Sequence, residues 1–165
     1  MKLVAACFLA GILTAACVPT SFDATSGSVP TTTPAPSEPT INVDPFTTLT
    51  NDARSVESLN PLEVDTLLGM AAQGHADDMS INDYFSHTSQ DGRTLGDRVS
   101  AVGYDYCWAG ENIAYGYSSQ ASVFAAWMNS PGHRANILSS NATEYGLGHA
   151  ADGNYWVMVL GRPGC

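Results

Sequence analysis

The chain of 165 residues contains sixteen acidic and six basic residues, which gives a formal net charge of −10 at pH 7. Lys2 is the only lysine, so removal of an N-terminal segment would leave five arginines and a charge near −11 (5 − 16). A nucleic-acid partner requires the opposite balance, and none is expected. The acidic surface instead favours solubility and the attraction of cations.

The N-terminus has the pattern of an export signal. Lys2 precedes an apolar stretch, Leu3 to Ala16, which at about 14 residues is too short to span a bilayer comfortably. Its end resembles a bacterial lipoprotein signal over residues 1–17, although Thr14 stands where that pattern usually has leucine. In this interpretation Cys17 becomes the lipidated first residue of a membrane-anchored protein. An ordinary secretory signal, cleaved after Ala16 or nearby, is the alternative, and both predict export.

Residues 18–45 are rich in Thr, Ser and Pro and contain few large apolar side chains. Such a composition cannot bury enough surface to offset the entropy of the chain, so it predicts a disordered tether. A flexible chain of this length reaches roughly 30 Å. The remaining residues, 46–165, are enough for one compact domain.

Helices are predicted early in this domain. Apolar residues at helical spacing predict helices from Phe46 to Leu59 and from Pro61 to Met79, with Pro61 as the first helical residue. Thr94 is the predicted cap of a third, short helix, from Leu95 to Val102.

Strands are expected later in the chain. The segment from Tyr104 to Tyr117 has no helical period and is predicted to be extended. A helix capped by Ser118 or Ser119 follows, and Ser130-Pro131 is predicted to begin a short one. A hairpin turning at Asp152-Gly153 is expected to join strands Tyr145–His149 and Tyr155–Leu160. This order predicts an α+β fold built in layers.

The four cysteines divide by position. Cys7 leaves with the signal and Cys17 is the expected lipidation site, which leaves Cys107 and Cys165. Because disulfides persist outside the cytoplasm, we predict a Cys107–Cys165 bridge that holds the C-terminus on the domain.

Three polar blocks carry a family resemblance. They are Phe85-Ser86-His87, Gly110-Glu111-Asn112, and the run from Ser130 to Leu138 that reads Ser-Pro-Gly-His-Arg-Ala-Asn-Ile-Leu. Together with Tyr155-Trp156-Val157 they make the chain resemble a bacterial CAP domain over roughly residues 46 to 162. The same superfamily includes cysteine-rich secretory proteins and plant pathogenesis-related proteins. The resemblance implies a three-layer α-β-α sandwich with an antiparallel sheet and an open cleft.

The resemblance also implies a cation site, because two histidines and two acidic residues line the cleft in many members. His87, His133 and Glu111 match three of them, whereas Ala125 stands in the place of the second acid. Two imidazoles with one carboxylate suit zinc better than calcium. The helix start predicted at His133 favours its neutral, metal-binding form. Glu111 can ligate the cation or hold an imidazole N–H.

Other polar residues have two interpretations. Asn112 and Asn136 are candidates for ligand binding, but hydrogen bonds to loop backbone are an equally good assignment. His75 lies on the apolar stripe of its helix and is expected in the core. Arg134 is expected to form a salt bridge. The three cleft residues could also do no more than hydrogen-bond one another.

Three functions follow from these patterns. The first is a monomeric, lipid-anchored binding module in the cell envelope, in the periplasm or at the cell surface, with a cleft for a divalent cation and a peptide, lipid or glycan. Secretion is the alternative location. The second function is a metal-assisted hydrolase with Glu111 as general base. The third is a structural envelope protein. Because many members of the resembled family act by binding, and no His-Glu-x-x-His helix is present, binding is favoured over catalysis.

Overall fold

The computed structural model describes residues 44–165. The predicted signal, the lipidation site at Cys17 and the tether up to residue 43 lie outside the described residues and stay predictions. Within the described range, no helix combines the length and apolar character needed to cross a bilayer.

Residues 44–165 form five α helices, one 3-10 helix and four strands. In chain order they are α1 Pro45–Val56, β1 Glu63–Val64, α2 Thr66–Ile81, α3 Leu95–Ala101, β2 Tyr106–Ala114, α4 Gln120–Asn129, α5 Pro131–Ile137, β3 Glu144–Ala150, the 3-10 helix Asp152–Asn154 and β4 Tyr155–Pro163. The α+β class predicted from the sequence is confirmed.

The sheet has the strand order β1-β3-β4-β2. Strand β4 pairs antiparallel with both β3 and β2, as the hairpin pattern predicted. Strand β1 pairs parallel with β3, so the sheet is mixed and the prediction of an antiparallel sheet was wrong at this edge. The two residues of β1 have no alternating pattern of their own.

The pairing of β1 also corrects the start of the second helix. The amides of Glu63 and Asp65 donate to the carbonyls of Thr143 and Tyr145, at 3.0 and 2.9 Å, which keeps this segment extended. The Asp65 side chain then accepts from the amide of Leu68 at 2.8 Å and caps α2. Helix α2 therefore begins at Thr66 rather than at Pro61.

Capping residues place the shorter helices. Thr94 and Ser119 each accept from the third helical amide in a reciprocal capping box, at the start of α3 and α4 respectively. Ser130 occupies the capping position of α5, but its side chain makes no capping hydrogen bond, so only Pro131 there fits the prediction.

Two apolar cores lie between the sheet and the helices, one on each face of the sheet. Helices α1, α4 and α5 cover one face of the sheet around Phe46 and Trp127, and α2 and α3 cover the other face around Leu68 and Val99. Phe46 meets Trp127 edge to face, with ring centroids 6.1 Å apart. This arrangement is the predicted three-layer sandwich.

The C-terminus is fastened to the sheet. Cys107, near the start of β2, forms a disulfide with Cys165, and the two Cα atoms lie 5.2 Å apart. The bridge closes a sequence separation of 58 residues. Such a cross-link stabilises the fold mainly by limiting the unfolded chain.

Helix α2 lies directly on the backbone of β3. A Cβ atom added at Gly146 would lie less than 3 Å from the backbone of Leu68 and Gly69, and one at Gly148 would meet that of Ala72 equally closely. Neither glycine has a positive φ, so the requirement is for space rather than for conformation. These two positions therefore set the distance between helix and sheet.

We predict that Gly146→Ala lowers the free energy of unfolding by about 3 kcal/mol or more, because the added methyl group must push rigid helix backbone away. Urea unfolding measures the change. The control is Gly74→Ala in helix α2, where the added methyl group would face open space. It is expected to raise stability by up to about 1 kcal/mol through helix propensity. Equal effects of the two substitutions would contradict this account.

Candidate functional site

The centre of the site is a buried ion pair between α3 and β2. Arg98 Nη2 donates to Glu111 Oε2 at 2.7 Å, and the two side chains are 5% and 3% exposed. The other carboxylate oxygen, Oε1, lies 2.8 Å from His87 Nδ1. Because the carboxylate only accepts, this contact requires a proton on Nδ1 and leaves Nε2 as the free edge of the ring.

Arg98 also fixes the loop that carries His87. Its Nη2 donates to the carbonyl of His87, and its Nη1 donates to the carbonyl of Arg93, each at 3.1 Å. Arg98 was not identified from the sequence. A signal existed, because it lies between Leu95 and Val102 on the apolar side of α3, where a charged residue needs a partner.

The environment of Glu111 keeps it ionised. Burial by itself raises the pKa of this carboxyl, but the hydrogen bond from His87 and the charge of Arg98 outweigh it, so the pKa lies below its usual value. A carboxylate with a lowered pKa and both oxygens engaged is a weak proton acceptor. The general-base role considered for Glu111 therefore lacks support in this geometry.

His133 lies in the first turn of α5 and is half-buried. Burial, and then the nearby charge of His87, lower the pKa of its imidazole. The neutral ring predicted from the sequence therefore fits this structure, although burial rather than the helix start is the main cause. Glu111 contacts His87, and its neighbour Asn112 donates to the carbonyl of His133, so adjacent residues of β2 bring the two histidines into one region of the molecule.

The two asparagines connect β2 to α5. Asn112 is fully buried, and its side-chain nitrogen donates to the carbonyl of His133 at 3.0 Å. Asn136 donates to the side-chain oxygen of Asn112 at 2.9 Å and to the carbonyl of Glu111 at 3.1 Å. The hydrogen bonds to the carbonyls of His133 and Glu111 agree with the interpretation that the two asparagines bond to backbone. A direct contact of either residue with a ligand stays a prediction.

The predicted three-residue metal site does not fit this arrangement. Among residues 44–165, no group of three or more His, Cys, Asp or Glu side chains is placed to hold a metal ion. Glu111 is occupied by Arg98 and His87, and the guanidinium would repel a cation that approached the carboxylate. Glu111 therefore orients His87 and is not itself free to ligate. Zinc binding stays a prediction that depends on the two imidazoles.

An apolar cavity of about 300 Å³ lies beside His133. Its lining is Phe85, Ile113, Ala114, Tyr115, Tyr117, Ala126, Trp127, Ser130 and His133. The polar side chains of His133 and Ser130 interrupt an otherwise apolar and aromatic surface. Trp127 Nε1 donates to the carbonyl of Ile113 at 3.3 Å, which holds α4 against β2 between two residues of the cavity lining.

The remaining predicted residues lie away from the cavity lining. Ala125, the position of the missing second acid, is exposed, whereas its neighbour Ala126 faces the cavity. His75 is fully buried, as expected, and its Nε2 lies 2.9 Å from the carbonyl of Ser86. Arg134 forms the predicted salt bridge, with Glu57 at 2.7 Å.

Helices on both faces of a four-stranded sheet, with His133 in the lining of an aromatic cavity and His87 held by a buried carboxylate, give an α+β domain of the CAP type. The family model described as the cysteine-rich secretory protein family, CAP, matches residues 47–160. The chain belongs to this family.

Two relatives of known sequence come from Bacillus subtilis. The uncharacterized protein YkwD is 39% identical over 135 residues, which are 82% of this chain and 52% of that protein. The uncharacterized membrane protein YlbC is 42% identical over 100 residues, 61% of this chain and 29% of that protein. The chain thus aligns with about half the length of one relative and under a third of the other.

Solved structures share the fold. An extracellular protein from Bacillus anthracis that contains an SCP domain matches with a TM-score of 0.68 and 37% identity, over 71% of this chain and 39% of that one. An outer surface protein of Borrelia burgdorferi matches with a TM-score of 0.67 and 23% identity, over 72% and 90% of the two chains. At that identity the second match shows the fold alone.

We predict that Arg98→Met lowers the free energy of unfolding by roughly 3–5 kcal/mol, because it leaves the Glu111 carboxylate buried without its charged partner. The control is Arg134→Met, which breaks an ion pair whose two side chains are 42% and 46% exposed. Such pairs contribute about 1 kcal/mol or less. Urea unfolding compares the two variants. A loss at Arg98 no larger than that at Arg134 would exclude the buried pair as the main support of the site.

Acidification should also destabilise the protein. The pKa values of His75 and His133 are both lowered in the folded state, chiefly by burial. At a pH between the pKa values of the folded and the unfolded state, the unfolded chain binds more protons than the folded chain does. The free energy of unfolding is therefore expected to fall as the pH drops through about 6.5. His133→Asn should reduce this fall when urea unfolding is measured across that range. The same pH profile in the variant and the wild type would contradict the assignment to His133.

Proposed function

We propose that this chain is an exported, lipid-anchored binding module of the cell envelope whose cleft takes up an apolar group of an extracytoplasmic ligand. The observation that carries the proposal is the cavity of about 300 Å³ beside His133. Its apolar and aromatic lining, with a few polar groups at one side, is the usual composition of a site for a small organic group. An acyl chain or an apolar peptide side chain suits this lining better than a glycan does.

The polar side of the cavity supports recognition of a head group. A neutral His133 can both donate and accept a hydrogen bond, and Ser130 adds a hydroxyl. His87, held by Glu111, presents its Nε2 edge from a ring whose side chain is 58% exposed. His133 and Ser130 can orient a ligand whose apolar part fills the cavity, and the ligand would have to extend beyond the cavity lining to reach His87. Asn112 and Asn136 contribute by holding β2 and α5 together.

Export and anchoring rest on two kinds of support. The N-terminal pattern ending at Cys17 is that of a lipoprotein signal. The Bacillus anthracis protein of 37% identity is named extracellular, and YlbC is named a membrane protein. These observations support the proposed location outside the cytoplasm, and the N-terminal pattern alone supports an anchor at Cys17, in the periplasm or at the cell surface.

The alternatives have less support. A hydrolase would need Glu111 as a free base, but both of its oxygens are engaged. A divalent cation would have the imidazoles of His87 and His133, together with water, as its ligands. A purely structural role predicts that the cavity binds nothing, which makes it an outcome of the following test.

Filling the cavity should weaken the binding of an apolar ligand. We predict that the neutral fluorophore N-phenyl-1-naphthylamine binds the wild-type protein and that Ala126→Trp weakens this binding at least about tenfold by filling the space. Fluorescence titration measures the dissociation constant. The control is Ala125→Trp, one residue earlier on the exposed face of α4. No binding by the wild type, or equal losses in the two variants, would contradict the proposal.

A further inference from the structure

A second hollow is bordered by Phe85 and Tyr115. Its volume is about 350 Å³, and its lining is Asp83, Tyr84, Phe85, Tyr115 and Tyr155. Four of these five residues are aromatic and the fifth is a carboxylate. None is basic. This composition differs from that of the cavity beside His133, although the two share Phe85 and Tyr115.

The aromatic rings form a platform open to solvent. Phe85 is 46% exposed and Tyr115 is 60% exposed, which is unusual for large apolar side chains. The ring centroids of Phe85 and Tyr115 lie 5.0 Å apart, and those of Tyr115 and Tyr155 lie 6.1 Å apart in a stacked arrangement. Because the rings touch one another, a ligand must lie across their outer faces rather than between them. We call these three residues with Asp83 the aromatic platform.

The charge of the platform is not compensated within the described part of the chain. Four ion pairs occur among residues 44–165, and Asp83 belongs to none of them. Arg93, Arg98 and Arg134 are paired with other carboxylates. The hydroxyl of Tyr84 already donates to Asp78, so it is not available to Asp83.

We propose that the aromatic platform binds an alkylammonium cation. The faces of aromatic rings attract cations, and weakly hydrated quaternary ammonium groups are recognised by such faces together with a nearby carboxylate. The negative charge of the whole chain adds a favourable long-range attraction. A neutral sugar could stack on the rings but would gain little from the charge of Asp83. This proposal goes beyond the apolar cavity, because it assigns a different ligand chemistry to a different hollow.

Choline and its neutral isostere 3,3-dimethyl-1-butanol test the proposal directly. The two probes share shape and differ in charge, so a cation site must prefer choline. Titration of the full chain, followed by the amide resonances of residues 83–85 and 115 in NMR spectra, measures both dissociation constants. We expect the dissociation constant of choline to be lower than that of the isostere by a factor of about five or more. Equal binding of the two probes, or no shift with either, would overturn the proposal.

Asp83→Asn is the matched variant. Asp83 has a φ of 51°, and asparagine tolerates this left-handed conformation as well as aspartate does. The variant should lose the preference for choline while keeping its fold and its affinity for the isostere. N-acetylglucosamine serves as the sugar probe. If it binds more tightly than choline and is unaffected by Asp83→Asn, the platform is a sugar site and the proposal fails.

The proposals for the aromatic platform and for the cavity can be tested separately. Ala126→Trp should leave choline binding unchanged, and Asp83→Asn should leave binding of N-phenyl-1-naphthylamine unchanged. Tyr115→Leu removes a ring shared by both hollows and should weaken choline binding roughly fivefold. Full choline binding by Tyr115→Leu would exclude the aromatic faces as the source of affinity.

Discussion

The site depends on one buried contact, the ion pair between Arg98 and Glu111. It joins α3 to β2, and through the second carboxylate oxygen it also fixes the imidazole of His87. Removing either partner would leave an unpaired charge in an apolar setting, which costs far more than the pair gains over hydrophobic replacements. The pair thus specifies one arrangement of loop, helix and strand, and the position of His87 follows from that arrangement.

Two hollows of different chemistry share part of their lining. Phe85 and Tyr115 belong both to the apolar cavity that contains His133 and to the aromatic platform that contains Asp83. A ligand that carries both an apolar group and a cationic amine could occupy both hollows at once. Linking two weak contacts in one ligand multiplies affinity when the spacing allows both to form. The two inferences are separate, but together they describe an amphipathic cation.

The sequence predicted the layers, the cap at Thr94, a cap at Ser118 or Ser119 and the Cys107–Cys165 bridge, because these depend on local patterns or on elimination. The structure has Ser119 as the cap of α4. The family resemblance implied His87, Glu111 and His133 as cation ligands, which stays a prediction, whereas in the structure Glu111 orients His87. Strand β1 was missed because two residues carry no period, and its pairing depends on β3 far along the chain. Arg98 was missed because its partner lies 13 residues away, and only the fold brings them together.

The absence of side chains at Gly146 and Gly148 restricts how the molecule can change shape. With backbone packed against backbone, α2 and β3 have no layer of flexible side chains that could yield between them. These two elements must therefore move as a single rigid body. The cavity beside His133 is lined by residues of β2, α4 and α5 and of the loops beside them, and none of its lining comes from α2 or β3. A guest in that cavity therefore meets side chains of the other elements and not this tight contact of backbone on backbone.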